Sequence, residues 1–261
     1  MPELPDVEVY RRYLAATALH QAIARVHVEA PRVLVDTTAQ GLGRRLGGQS
    51  FERASRHGKY LFAHLDRGGA VALHFGMTGR LDYRREPDAG EAHAACRFGF
   101  RNGARLDYLS TRLLGRIEFT ESVADFIHAK GLGPDALALD RDDFLEDAAS
   151  RRGGVKSWLM DQGHIAGIGN VYSDEILFRA GIHPKRKVSE LDDDVLRELH
   201  RAIDEVLQAA IAAKADPARM PDRFILPRRE PGGHCPRCGE ALEQLSVNGR
   251  TAWFCPKCQP G

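Results

Sequence analysis

The first residues of the chain are of a type and order that could perform nucleophilic chemistry. The sequence begins Met1-Pro2-Glu3-Leu4-Pro5, and a small second residue usually permits removal of the initiator methionine. Removal would leave Pro2 with an unblocked secondary amine beside the Glu3 carboxylate. An α-amino group has a reference pKa of ~8, against ~10.4 for lysine, so more of it is unprotonated at neutral pH. Such an amine can form a Schiff base with an aldehyde-like carbon. The alternative is an ordinary N-terminus whose prolines stiffen the entry to a helix.

Four cysteines near the C-terminus form a second reactive group. They lie in two Cys-x-x-Cys pairs separated by 16 residues. Four thiolates in two such pairs satisfy a tetrahedral zinc ion and leave no open position, so the pattern predicts one structural Zn²⁺ rather than free thiols. The predicted ligands are Cys235, Cys238, Cys255 and Cys258.

The segment between the two cysteine pairs has strand-like residues on both sides of Asn248-Gly249, which predicts a hairpin turn. Arg250 follows this turn directly, at a position from which a side chain can reach a ligand. The alternative for Arg250 is a solvated surface charge.

A glycine-rich stretch, residues 163–170, separates two predicted helices. Its glycines allow the backbone to approach a partner closely. Asn170 would cap the following helix, whose outward N–H groups would then form a phosphate site. A plain turn between antiparallel helices is the alternative.

The elements that must position these residues change character along the chain. Residues 5–24 have apolar positions at helical spacing, and later segments alternate with a period of two. Asn102-Gly103, in the hairpin of residues 96–108, is expected to supply two residues with positive φ. An antiparallel sandwich or barrel ending near Thr120 is therefore predicted. The expected strands are residues 26–28, 33–35, 60–65, 70–75 and 79–84.

The second half of the chain is predicted to be helical over residues 155–162, 170–180 and 189–214. Ser189 is the expected N-cap of the last helix, with Asp192 three residues later as a variant capping box. Residues 131–147, with Pro134 and many acidic side chains, are interpreted as a surface connection between domains.

Composition indicates a soluble globular chain, since 43% of the 261 residues are hydrophobic and 28% are charged. No run of roughly eighteen apolar residues and no leader pattern occurs, so neither export nor membrane insertion is expected. The cysteine pairs suit a reducing compartment, and the cytoplasm is the expected location. A net charge of +1 gives no general attraction to nucleic acid, so any DNA-binding face must come from local placement of cations.

Taken together, these features resemble the formamidopyrimidine-DNA glycosylase and endonuclease VIII family over essentially the whole chain. The resemblance implies an α+β fold with three parts: an N-terminal antiparallel β-sandwich with an N-terminal helix (1–130), a helix–two-turn–helix domain (131–225) and a C-terminal zinc-ribbon hairpin (230–261). The matching motifs, in the family's order, are Pro2-Glu3-Leu4-Pro5, Lys59-Tyr60-Leu61, His74-Phe75-Gly76-Met77-Thr78-Gly79, Lys156-Ser157-Trp158-Leu159-Met160-Asp161, Gly167-Ile168-Gly169-Asn170-Val171-Tyr172 and the four-cysteine ribbon.

The same resemblance implies a DNA repair glycosylase that excises oxidised or ring-opened bases and then cleaves the strand by β,δ-elimination. Pro2 would attack C1′ of the damaged nucleotide, and Glu3 would serve as proton donor and acceptor. Lys59 and Arg250 would complete the catalytic group, and Met77 would fill the gap left by the flipped nucleotide. The residues expected to grip phosphates around the lesion are Lys59, His74, Lys156, Asn170 and Arg250.

Three departures from the family pattern bear on the damaged base. Arg112 can still fill the space opposite the lesion, but Leu113 and Leu114 stand where the formamidopyrimidine enzymes have an arginine and a phenylalanine. The long loop that covers flipped 8-oxoguanine is reduced to residues 221–234, and Asp6 replaces the usual glutamate.

The expected partner is damaged double-stranded DNA, with single-stranded DNA as a further candidate and no membrane. The expected state is a cytoplasmic monomer, associated with the nucleoid in a bacterium. Two other readings stay open: a lyase that acts on abasic sites with little base excision, and a non-catalytic zinc-ribbon DNA-binding protein.

Overall fold

A computed structural model describes residues 1–85 and 94–261. The chain forms two compact units, one of residues 1–2 and 6–130 and the other of residues 3–5 and 131–261. The predicted α+β class is confirmed, with β-sheets in the first unit and helices and a hairpin in the second. The exact domain boundaries stay a prediction. No helix within the described ranges is long and apolar enough to cross a bilayer.

The first unit contains two β-sheets within its described residues. Its elements are α1 (Leu4–Thr17), β1 (Ile23–Val28), β2 (Leu34–Val35), α2 (Ala39–Leu46), β3 (Phe51–His57), β4 (Tyr60–Leu65), β5 (Ala70–His74), β6 (Arg80–Arg84), β7 (Ala94–Phe100), β8 (Arg105–Leu109), β9 (Arg116–Thr120) and α3 (Val123–Ala129). One sheet has the strand order β1-β7-β8-β6 and the other β2-β9-β5-β4-β3, and these strands pair antiparallel except for the parallel pair β2 and β9. Alternate residues from both sheets enter one apolar core, in which the rings of Phe51 and Phe98 meet edge to face at 5.6 Å.

The turn between β7 and β8 differs from the predicted two-residue turn. Gly103 has a φ of +86°, but Asn102 is not among the residues with positive φ. Phe100 N donates to Ala104 O at 2.8 Å, and Gly103 N donates to Phe100 O at 3.1 Å. The connection is therefore a three-residue loop with glycine at its left-handed position.

The second unit packs its helices around the apolar face of the longest one. Its elements are α4 (Arg141–Ala149), α5 (Val155–Met160), α6 (Asn170–Ala180), α7 (Asp193–Ala212), β10 (Glu243–Val247) and β11 (Arg250–Phe254). Asp192, not Ser189, caps α7, because its carboxylate accepts from Val195 N at 2.9 Å. The interpretation of residues 131–147 as a surface connection is wrong, because α4 begins within them and Phe144 is buried in the helical core.

The C-terminal hairpin has the predicted turn. Asn248 and Gly249 have φ values of +48° and +74°, so both central residues are left-handed. Val247 and Arg250 close the ladder on either side of this turn. The two-residue geometry fixes the register of β10 and β11 and places Arg250 at the first position of β11.

Candidate active site

The carboxylate of Glu3 is held by the N-terminus of α6. Its Oε2 accepts from Gly169 N at 2.7 Å and from Tyr172 N at 3.3 Å, and its Oε1 accepts from Val171 N at 2.8 Å. The side chain is only 2% exposed. Amides at a helix start have no partner within the helix and favour a negative charge. The negative charge at the N-terminus of α6 is therefore supplied by the protein's own Glu3 side chain.

This arrangement corrects the predicted role of Asn170 as a helix cap. Gly169 is the N-cap residue and Asn170 is the first residue of the helix. The amides expected to bind phosphate are instead occupied by Glu3.

The glycines of this loop are required by the close approach of the N-terminal residues. A Cβ on Gly169 would lie 2.5 Å from Glu3 Oε1, and one on Gly167 would lie 2.9 Å from Leu4 Cβ. Leu4 N also donates to Gly167 O at 3.1 Å. Pro2 precedes Glu3 by one peptide bond, so the capture of Glu3 restricts where the Pro2 nitrogen can lie. Pro2 is half-buried, and Met1 is 52% exposed.

In the first unit, Lys59 and His74 lie at neighbouring strand ends. Lys59 precedes β4, and Tyr60 at the start of β4 is paired with His74 at the end of β5. Gly76 N donates to His74 Nδ1 at 3.3 Å, which assigns the proton of a neutral ring to Nε2. Burial, followed by the charges of Lys59 and Arg116, lowers the pKa of His74 to about 4. At neutral pH His74 can grip a phosphate only as an uncharged N–H donor.

Two loops of the first unit that lie against each other expose apolar side chains. Met77 is 43% exposed and Leu114 is 39% exposed, and with Met1 they are the exposed large hydrophobic residues of the described chain. The loops touch, because a Cβ on Gly76 would lie 2.5 Å from the backbone carbon of Leu114. Arg112 N donates to Thr78 Oγ1 at 3.2 Å. Exposed apolar side chains of this kind suit insertion between bases.

Leu113 and Leu114 have different environments although they are neighbours. Leu113 has a φ of +49°, and its side chain packs against the sandwich core. That turn leaves Leu114 as the outward apolar residue of the pair.

The position of Lys156 contradicts the predicted phosphate contact. Its side chain is fully buried, and its ammonium donates to Asn170 O at 3.2 Å, to Ser173 Oγ at 2.9 Å and to Asp174 Oδ1. An ammonium has three N–H donors, so these acceptors satisfy it. Burial lowers the pKa of Lys156, and the adjacent Asp174 opposes that effect. Lys156 therefore holds the start of α6 rather than a ligand.

The C-terminal hairpin is seated on the helices beside this cluster. Asn170 Nδ2 donates to Thr251 O at 3.0 Å, and Asn248 Nδ2 donates to Ser157 Oγ at 2.7 Å. Arg250, next to Thr251, is exposed, and its Nη1 lies 3.9 Å from Met160 Sδ. Asn170 thus bonds the residue next to Arg250, whose guanidinium is accessible to a ligand.

The four cysteines form a cluster that fits zinc. Their sulfur atoms all lie within 4.8 Å of one another, with Cys235 to Cys258 at 3.7 Å and Cys238 to Cys255 at 3.5 Å. Zn–S bonds of about 2.3 Å in a tetrahedron require sulfur separations of about 3.8 Å. Backbone N–H groups point at two of the sulfurs, which supports thiolate charge. The cofactor is one structural zinc ion.

Sequence reasoning missed two carboxylates inside α6. Asp174 and Glu175 are 0% and 1% exposed. Burial raises the pKa of Glu175 to about 7, although Ile225 N and Leu226 N donate to it. The one available signal was their place among the apolar residues Tyr172, Ile176 and Leu177, since charged residues there must find internal partners.

The fold and the site together define a two-unit protein with a candidate N-terminal nucleophile, a carboxylate beside it and a zinc ribbon. Family models match in three consecutive stretches: the formamidopyrimidine-DNA glycosylase N-terminal domain at residues 1–117, its H2TH domain at residues 131–222, and the zinc finger found in FPG and IleRS at residues 232–261. The chain belongs to the formamidopyrimidine-DNA glycosylase family.

Individual relatives match over nearly their full length. The formamidopyrimidine-DNA glycosylase of Pelotomaculum thermopropionicum is 34% identical over 99% of both chains. That of Nocardioides sp. is 36% identical and covers 100% of this chain and 95% of its own. Among solved structures, Lactococcus lactis Fpg in complex with abasic-site DNA has a TM-score of 0.91 and 29% identity, covering 99% of this chain and 100% of that one.

Proposed function

We propose that this protein removes damaged bases from DNA and then cuts the strand, with Pro2 as nucleophile and Glu3 as proton donor and acceptor. As a member of its family, the chain is a DNA repair enzyme, a bifunctional DNA glycosylase and AP lyase. The observation that supports the role of Pro2 and Glu3 is the capture of the Glu3 carboxylate by three backbone amides, on the residue that directly follows Pro2 in the chain.

The first half of the reaction replaces one bond at C1′ with another. The Pro2 nitrogen forms a bond to C1′ while the glycosidic bond breaks, and the leaving base takes up a proton. Glu3 then gives a proton to the ring oxygen O4′ as the C1′–O4′ bond breaks. The Pro2 nitrogen, having lost its N–H proton, forms the second bond to C1′ and becomes the nitrogen of an iminium ion. Holding both groups in one orientation lowers the entropic part of the barrier.

The second half is elimination. The iminium ion acidifies the proton at C2′, whose removal expels the 3′ phosphate, and a second elimination expels the 5′ phosphate. Hydrolysis of the imine then returns the Pro2 amine. Covalent capture thus serves both base loss and strand cleavage.

DNA is held by side chains that remain accessible or lie at strand ends. Lys59, His74, Asn170 and Arg250 are proposed to contact phosphates, which positions the duplex without reading its sequence. Met77 is proposed to fill the space of the flipped nucleotide, and Arg112 the space opposite it. Lys156 is left out of this set because its ammonium already donates to Asn170 O, Ser173 Oγ and Asp174 Oδ1. The protein is further proposed to act as a cytoplasmic, nucleoid-associated monomer.

Trapping of the imine with borohydride tests the nucleophile. Wild-type protein should give a covalent complex with lesion DNA, and Pro2→Gly or a form that retains Met1 should lose most of it, because only an unblocked amine at position 2 can form the adduct. Pro5→Ala, which changes the neighbouring proline, is the matched control and should trap normally. Undiminished trapping by the Met1-retained form would exclude Pro2 as the nucleophile.

The same assay separates the alternative functions. Wild-type activity on preformed abasic DNA, without activity on intact damaged bases, would indicate a lyase with little excision. Binding without any trapping would indicate a non-catalytic DNA-binding protein.

A further inference from the structure

A buried cluster of charges ties together the parts of the second unit that carry candidate active-site residues. Asp174 is fully buried, and its Oδ1 accepts from Lys156 Nζ. Its Oδ2 accepts from Arg229 Nε at 3.0 Å and Arg229 Nη2 at 2.7 Å, and also from Trp253 N at 3.1 Å. One carboxylate therefore joins α5, α6, the segment before the zinc ribbon and strand β11.

The cluster reaches the Glu3 carboxylate through Lys156. Lys156 Nζ also donates to the carbonyl of Asn170, which lies between the Gly169 and Val171 amides that bind Glu3. Glu3 in turn favours the charged form of Lys156 by its own negative charge. Any shift of the Lys156 ammonium is thus transmitted to the backbone around Glu3.

The cluster reaches Arg250 through β11. Trp253 is three residues beyond Arg250 on the same strand, and its amide bond to Asp174 is one of the anchors that seat the hairpin on the helices. The other anchors are the bonds of Asn170 to Thr251 and of Asn248 to Ser157.

The Lys156 ammonium is fully buried and the Arg229 side chain is 16% exposed, and ion pairs of this kind do not improve stability over an apolar core of similar shape. Fixed geometry is a better explanation, because two guanidinium N–H groups of Arg229 converge on the single Oδ2 atom of Asp174 in charge-assisted hydrogen bonds. We propose that Arg229, acting through Asp174 and Lys156, is a positioning residue that fixes the Glu3 carboxylate and Arg250 for base excision. This inference rests on the proposed function of Glu3.

Arg229→Met is the informative substitution. It removes both guanidinium hydrogen bonds to Asp174 Oδ2 but leaves Asp174 paired with Lys156, so the buried carboxylate keeps a cationic partner. Asp174→Asn would leave two buried cations without an anion and is expected to fold poorly. Arg223→Met is the matched control, because Arg223 lies on the same segment and its side chain is 58% exposed. Its contacts are a 3.5 Å ion pair with Glu205 and a guanidinium 5.1 Å from the centre of the Phe224 ring, neither of which involves Asp174.

Single-turnover excision at saturating enzyme is the measurement. Arg229→Met should slow base release about tenfold or more, since small misplacements of reacting groups have effects of this size. The dissociation constant for DNA should change less than the rate. Arg229→Lys should recover part of the rate by restoring one donor, and Arg223→Met should match the wild type. A wild-type rate for Arg229→Met would overturn the proposal.

A double variant separates positioning of Glu3 from general loss of structure. If Arg229 acts through Glu3, adding Arg229→Met to Glu3→Gln should cause no further loss of excision. Multiplicative losses, together with a lowered melting temperature or loss of zinc, would reject the proposal in favour of a structural role. Normal excision by Glu3→Gln alone would instead show that the proposed function of Glu3 is wrong.

Discussion

Glu3 and Lys156 show what a residue type can predict and what it cannot. Both were identified from the sequence as functional, and both are almost completely buried. For Glu3, burial brings three amide donors and a place beside Pro2. For Lys156, burial removes the predicted phosphate contact, because side-chain direction on a six-residue helix depends on partners that periodicity does not reveal.

The residue His74 leads to a prediction about pH. Its pKa is about 4 in the folded protein, against 6.5 for an unperturbed ring, so the ring is neutral in both states above pH 6.5. Between pH 6.5 and 4 the unfolded chain gains a proton that the folded protein does not, and stability falls as the pH falls. The effect has an upper size of about 3 kcal/mol.

His74→Gln keeps an N–H donor and removes the titration. We expect it to reduce the loss of unfolding free energy between pH 6.5 and 4, measured by urea denaturation, and to leave DNA affinity between pH 6.5 and 8 without new pH dependence. His128→Gln, at an exposed histidine, is the control. A wild-type stability profile in His74→Gln would show that this ring does not remain neutral.

At the level of secondary structure, the strands were predicted better than their arrangement. The strands predicted at residues 60–65 and 70–75 match β4 and β5 almost to the residue, although both strands are buried on both faces and do not alternate between buried and exposed positions. The order β2-β9-β5-β4-β3 could not be predicted, since pairing between distant strands leaves no local pattern. The cap at Gly169 was missed for the same reason, as its anion comes from residue 3.

The hairpin of β10 and β11 is expected to depend on zinc, which gives a prediction at the scale of the element. The cysteine cluster packs with Phe178, Ile225 and Trp253 in a small apolar group of its own. Such a group is too small to fold a hairpin without the metal. Elemental analysis should find one zinc per chain, and chelation should disorder the hairpin and weaken DNA binding.

The weaker DNA binding expected after zinc removal should also change the salt dependence of binding, because the hairpin presents Arg250. Removal of zinc should reduce the slope of log K against log salt by about one ion, the share of one phosphate contact. Arg250→Ala protein should already have the reduced slope before chelation. Chelation should then not lower the slope by a further ion through Arg250. Unchanged binding by zinc-free wild-type protein at every salt concentration would contradict the prediction.

At the scale of the whole molecule, we expect one feature of each unit to influence which damaged bases are processed. In the first unit, Leu114 is the outward residue where formamidopyrimidine enzymes have an aromatic wedge. In the second, residues 221–234 stand where the family's lesion-covering loop is expected, and the backbone at residues 225 and 226 is turned inward. Ile225 N and Leu226 N donate to Glu175, and Phe224 is fully buried. Amides used in this way cannot close over a flipped purine.

We therefore expect ring-opened purines, oxidised pyrimidines and abasic sites to be processed faster than 8-oxoguanine paired with cytosine. A smaller wedge should also relax dependence on the opposite base and leave activity on single strands. Single-turnover rates on matched duplexes and single strands measure both effects. Leu114→Phe should increase the preference for duplex, whereas Leu113→Phe, which alters the inward residue, should affect stability instead. An 8-oxoguanine:cytosine rate equal to or above the other rates would show that different contacts replace the lost ones, because neither the shortened segment nor Leu114 would then limit purine capture.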